Sequence, residues 1–158
     1  PPPRFEKVVP VVSPADMAAA VKETAEQQDI IIKAAAVADY RPDHPGDEKV
    51  KKKDGDATLT MERTEDILSY LGANKKPGQF LCGFSMETEH MLENSRAKLA
   101  KKNADMIVAN NLKVAGAGFG TDTNVVTLIT ADDCRELEIM SKADVASAIV
   151  SEILKKMC

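Results

Sequence analysis

At 158 residues, 44% of them hydrophobic, the chain has material for one core and is most simply a single domain. Its net charge of -4 excludes a generally basic, nucleic-acid-binding surface, so an anion site has to be a local cluster of cations. Cys82, Cys134 and Cys158 show no C-x-x-C spacing, which argues against a disulfide framework or a zinc site, and no apolar run reaches the roughly 20 residues of a membrane span; a soluble protein of a reducing cytoplasm is expected.

Pro1-Pro2-Pro3 reads as an extended lead-in to a short β-branched strand, Lys7 to Val12, whose Pro10 points to an irregular or edge position. Ser13 as N-cap, Pro14 at the first helical position and Asp16 in the first turn start a helix that runs to about Gln28. Asp29 to Ala38 follows as a buried strand. It breaks at Asp39-Tyr40-Arg41-Pro42 into a polar loop that ends in Lys49, Lys51, Lys52 and Lys53. Leu59 to Arg63 alternates like a strand, and Thr64 caps a short helix opened by Glu65, Asp66 and Ile67.

After the Pro77-Gly78 turn, Gln79 to Phe84 reads as a third buried strand, followed by a helix from Glu87 to Asn103. Lys98 and Lys102, four residues apart, project from one side of that helix. Met106 to Ala109 forms a fourth strand halted by Asn110-Asn111. Val125 to Ile129 and Glu136 to Met140 form a hairpin around Asp132-Asp133, and Ser141 caps a last helix, Val145 to Met157. Strands alternating with helices imply an α/β fold: a mainly parallel, Rossmann-like sheet with helices on both faces and a late antiparallel β-hairpin. Ligands of such sheets bind beyond the carboxyl ends of the strands, where Asp39, Phe84 and Asn110 fall.

The lysines at 49 and 51 to 53 suit a polyphosphate; charge alone favours a solvated run, and their position after a buried strand and Asp39 argues for the site. Asp39 suits a divalent cation or a ribose, or simply a turn, and Phe84 suits either the core or a stacked base. Gly116, Gly118 and Gly120 precede a strand rather than a helix, so they lack the context of a dinucleotide fingerprint. His44 and His90 have no partners at metal-ligand spacing, and the cysteines read as buried packing.

Ala34 to Arg41, Lys49-Val50-Lys51-Lys52, Gly83 to Thr88, Lys98 to Lys102, Asp105 to Asn110, Gly118 to Asn124 and Ser141-Lys142, in that order, resemble bacterial phosphopantothenate-cysteine ligase, the CTP-dependent synthetase half of a bifunctional coenzyme A biosynthesis flavoprotein. The resemblance implies that the carboxylate of 4'-phosphopantothenate attacks the α-phosphate of CTP, and that cysteine then displaces CMP from the acyl cytidylate. It implies Lys49 as the catalytic lysine, and Asp39, Lys49, Glu65, Asp66, Ile67, Leu68, Phe84, Lys98 and Lys102 as CTP contacts, with Asp39 also serving Mg2+. Glu65 stands where that family usually has proline.

The same resemblance implies a homodimer built near Val125 to Met140, and FMN only on an attached flavin decarboxylase domain. It also implies a Gly-rich strand–turn–helix segment ahead of Lys7. The chain opens on prolines instead, so residues 1–158 are expected to be a synthetase domain lacking that segment, binding CTP weakly. The alternatives are a noncatalytic nucleotide-binding or dimerisation fragment of that enzyme and a dinucleotide-binding oxidoreductase domain.

Overall fold

The computed structural model describes residues 7–43, 58–87, 90–111 and 122–158. Lys49 and the other lysines of its loop, His44, and the glycines at 116, 118 and 120 lie outside the described residues.

Helix α1 (Pro14–Ala25) begins as its sequence dictates. Ser13 Oγ accepts from the Asp16 N–H at 3.2 Å, and the Asp16 carboxylate accepts from the Ser13 N–H at 2.9 Å, so two end donors are satisfied reciprocally. Strand β1 (Ile30–Lys33) pairs in parallel with β4 (Phe80–Glu87), and β4 pairs in parallel with β5 (Met106–Asn111). Antiparallel strands β7 (Val126–Ile129) and β8 (Cys134–Glu136) complete a five-stranded sheet of order β1-β4-β5-β7-β8. The α/β class, the parallel core and the late antiparallel hairpin are therefore as expected.

Period-two alternation sorts the core into two layers. Leu81 and Ile107 point to one face, where they pack with Ala18 of α1, with Ile67, Leu68 and Leu71 of α2 (Ile67–Ala73), and with Leu99 of α3 (Met91–Lys101). Cys82, Met106 and Val108 point to the other, with Val126, Leu128 and the Val145, Ile149 and Ile153 stripe of α4 (Lys142–Met157). At about 25 cal/mol per Å2, burying each of these large side chains contributes roughly 1.5 to 3 kcal/mol. Cys82 belongs to this packing: burial, with the Asp105 charge beside it, pushes its thiol up to about 12. Cys134 is only partly buried and Cys158 is exposed, so the expectation of buried cysteines fails for those two. Among the described residues no helix is long and apolar enough to cross a membrane.

Several boundaries differ from expectation. Residues 7 to 12 form no strand; Pro10 has no N–H to give a ladder, and Val8 and Val12 are exposed rather than packed. β1 stops at Lys33, so Ala34 to Ala38 continue as irregular backbone. β2 (Tyr40–Pro42) and β3 (Met61–Arg63) pair in a separate antiparallel ribbon. β4 runs past Phe84 to Glu87, and α3 starts only at Met91, after His90 in a left-handed conformation at φ 50°. In the late hairpin, Cys134 to Glu136 pairs with β7. Met140 instead pairs, in β9 (Met140–Ser141), with β6 (Thr123–Asn124). Alternation marks apolar positions but does not choose their partner strand.

Candidate functional site

A cleft of about 490 Å3 opens at the carboxyl ends of β1, β4 and β5. Its first wall is Lys33 to Asp39, a run of alanines whose small side chains let a ligand approach the backbone. The second wall is Thr64 to Leu68 at the start of α2. Phe84, Ser85 and Met86 form its β4 side, Lys98 and Lys102 come from the last turn and end of α3, and Asn110 comes from β5. Asp39, Glu65, Asp66, Ile67, Leu68, Phe84, Lys98 and Lys102, dispersed over the sequence, are thus brought to one cavity. Lys49 lies outside the described residues.

Thr64 was expected to cap α2, but its hydroxyl donates to the Ala38 carbonyl while its N–H donates to the Asp39 carbonyl at 3.0 Å. Two hydrogen bonds thereby tie the alanine wall to the α2 wall. Asp66 takes over as N-cap, accepting from the Ser69 N–H at 2.9 Å. Ile67 and Leu68 are each 4% exposed, their side chains sunk in the core, so they border the cleft mainly with the backbone of the first helical turn. Helix N–H groups at that position have no intrahelical partner.

Charge inside the cleft is ordered by specific pairs. Lys102 Nζ donates to the Asp66 carboxylate and, at 2.8 Å, to Ser69 Oγ. Lys98 Nζ donates to the Phe84 carbonyl at 2.9 Å, which holds its ammonium at the end of β4. Glu65 faces outward to Lys22, whose Nζ lies 2.6 and 2.7 Å from its two oxygens. Burial raises the Asp66 carboxyl, but the Lys102 ammonium and the Ser69 N–H outweigh it and hold the group below the ordinary carboxylate range. Phe84 lines the cleft and also packs against the α4-side core, so its ring has a fixed backing. On the opposite face of β4, toward α3, Ser85 and Ser95 share a buried hydrogen bond of 2.8 Å.

Lys33 is a site residue that sequence reasoning misses; a lysine closing the run Ile30-Ile31-Ile32 is the one local signal for it. It lines the cleft and donates to the Ala35 carbonyl at 2.8 Å. Burial first, and the Lys98 ammonium second, push it below the ordinary lysine value, with Asp66 and Asp39 opposing. A bound polyanion favours its charged form and so raises that value. Binding of inorganic triphosphate should therefore take up protons at alkaline pH and weaken as pH rises through the lowered value. Calorimetry between about pH 8 and 10 in buffers of different ionisation enthalpy checks this; an affinity that stays flat over that range, with no proton uptake, would contradict it.

Residues 1–157 match the DNA/pantothenate metabolism flavoprotein C-terminal domain family. The chain is 52% identical over 146 residues to the coenzyme A biosynthesis bifunctional protein CoaBC of Bacillus subtilis, covering 92% of this chain and 36% of that protein. A solved C-terminal domain of a CoaBC protein is 42% identical, with a TM-score of 0.76 over 94% of this chain and 67% of that one. A Cab2 mutant in complex with phosphopantothenate-cysteine, 17% identical, shares the fold with a TM-score of 0.67 over 94% of this chain and 52% of that one. The chain thus spans little more than a third of the length of the bifunctional relative it matches.

Proposed function

The chain belongs to the DNA/pantothenate metabolism flavoprotein C-terminal domain family, and on that premise we propose that it carries the CTP-dependent ligation of 4'-phosphopantothenate to L-cysteine in coenzyme A biosynthesis. The observation that supports this reading most directly is the convergence of Asp39, the 65 to 68 segment, Phe84, Lys98 and Lys102 on one cleft with three lysine ammoniums in its lining. Triphosphate chemistry needs that arrangement, because the barrier is lowered chiefly by neutralising charge on the transferred and departing phosphates.

In this reading the substrate carboxylate attacks the α-phosphorus, and the bond to the pyrophosphate oxygen breaks as the acyl-phosphate bond forms. Lys33, Lys98 and Lys102 hold the phosphates, Lys49 activates them, and Phe84 supports the base. The cysteine amine then attacks the acyl carbon, loses its proton, and CMP departs. Among the described residues no group of three or more metal-ligating side chains occurs. A magnesium ion carried by nucleotide phosphates, however, needs only one or two protein carboxylates, and Asp39 in the cleft lining supplies one. When bound, the ion would neutralise phosphate charge. Homodimerisation and fusion to a flavin decarboxylase belong to the same reading.

In the full-length polypeptide, CMP release from CTP is expected to require both phosphopantothenate and cysteine. Calorimetry should show CTP preferred over ATP and NAD, with Lys49→Gln weakening CTP by about tenfold, the worth of one charge-assisted hydrogen bond. Selective CTP binding without turnover would instead favour a noncatalytic nucleotide-binding module, and preferential NAD binding would overturn the assignment.

A further inference from the structure

Asn110 sits at the carboxyl end of β5 and lines the cleft, yet no role follows for it from the triphosphate chemistry. Its amide is oriented by a chain of two hydrogen bonds. The Val125 N–H donates to Asn124 Oδ1 at 3.0 Å, and a backbone N–H can only donate, so the Asn124 oxygen must face it. Asn124 Nδ2 is thereby turned away, and it donates to Asn110 Oδ1 at 2.9 Å. With its oxygen committed, and no acceptor for its NH2 group among the described residues, the Asn110 amide can offer that group to a ligand.

Register places that group beside the aromatic ring of the cleft. Phe84 is opposite Val108, and Asn110 is two residues beyond Val108, so Phe84 and Asn110 project from the same face of neighbouring parallel strands. A flat heterocycle lying on Phe84 would bring its edge toward Asn110. An NH2 donor matches the N3 and O2 acceptors of cytosine and opposes the N3–H donor of uracil.

We propose that Asn110, held in one orientation by Asn124, reads the hydrogen-bonding edge of the nucleobase and selects an acceptor at the pyrimidine 3-position; this rests on the CTP reading of the cleft. Two substitutions invert the chemistry by different routes. Asn110→Asp keeps an acceptor for Asn124 Nδ2 but presents oxygen to the cleft. Asn124→Asp keeps an acceptor for the Val125 N–H but turns oxygen toward Asn110, whose amide must then rotate to donate, exposing its carbonyl instead.

Competitive calorimetry of CTP and UTP on the full-length protein tests both variants. Each should lower the ratio of CTP to UTP affinity by about tenfold or more, the range of one well-placed base contact. A general loss of affinity from a disturbed cleft would lower both nucleotides together and leave the ratio intact. An unchanged ratio in both variants, with the wild type still preferring CTP, would overturn the role of Asn110 alone. No CTP binding by the wild type would overturn the nucleotide reading together with it.

Discussion

Replacing Gly72 by alanine is expected to destabilise the protein by about 3 kcal/mol or more, the upper range of overpacking substitutions. In an isolated helix the same change would stabilise by about 1 kcal/mol, since glycine is a poor helix former. Tertiary packing reverses the sign. A Cβ at position 72 would lie 1.7 Å from the Lys102 carbonyl oxygen and 2.8 Å from its carbon, both backbone atoms at the end of α3. The approach is secured from the other side by Asn103, whose Nδ2 donates to the Gly72 carbonyl at 2.8 Å and whose own φ is 48°. No rotamer change relieves a clash with backbone, so α2 and α3 would have to separate. Denaturant unfolding should show a lower midpoint, and a variant as stable as wild type would contradict this packing. Because the separated turn carries Lys102, nucleotide affinity should fall with stability.

Lys102→Met isolates that second effect. The Lys102 side chain is 13% exposed and its ammonium is shared between Asp66 and Ser69, so methionine preserves the stem's packing while removing a sheltered charge. If the ammonium holds a phosphate of CTP, affinity should drop by about 10- to 100-fold, equivalent to 1.5 to 3 kcal/mol for a charge-assisted hydrogen bond. The cost in stability should be smaller, about 1 kcal/mol, because the Asp66 carboxylate is half exposed and solvent screens the pair. The pH dependence has a definite sign. Asp66 is held below its ordinary value in the folded state, so its contribution is present at neutral pH and is lost as pH falls through the folded value, below about pH 4. Lys102→Met should therefore lose stability at neutral pH and become less sensitive to acid over that window. Unfolding curves at about pH 3 and 7 measure the stability difference, and CTP titration measures the affinity. Unaltered CTP affinity would remove Lys102 from the site.

Local chemistry was legible wherever the deciding atoms lie close together in the chain. The capping box of Ser13 and Asp16 spans three residues, and Ser141 caps α4 through the Asp144 N–H at 3.1 Å over the same spacing. The apolar runs at Leu81 and Met106 became β4 and β5, because an uninterrupted buried run suits a strand covered on both faces. The run at Ile30 became β1, but at the end of the sheet order, only partly buried and with Ile32 exposed, so the expectation of a buried strand fails there. Lys98 and Lys102 reach one cleft for the same short-range reason, their helical spacing.

Where two local solutions competed, distant partners decided. Thr64 and Asp66 were both competent caps for α2. Asp66 won because Thr64 is drawn to the Ala38 and Asp39 carbonyls, which come from another part of the chain. Met140 had the alternation of a hairpin strand but pairs with Asn124, leaving Cys134 to Glu136 beside β7. Gly72 had no distinguishing local signature, and for Lys33 and Asn110 the local signal, a lysine closing an apolar run and an asparagine at a strand exit, named no partner. The significance of Lys33, Gly72 and Asn110 rests on Lys98, on the Lys102 backbone and on Asn124, respectively, all far along the sequence. By itself, then, the sequence determined the α/β class, the capped starts of α1 and α4 and the helical spacing that puts Lys98 and Lys102 on one side, since these follow from periodicity and capping within a few residues. Only the tertiary structure decided which cap formed, how closely α2 meets α3 and which way the Asn110 amide turns, because each is settled by hydrogen bonds or steric contact between segments that the fold alone brings together.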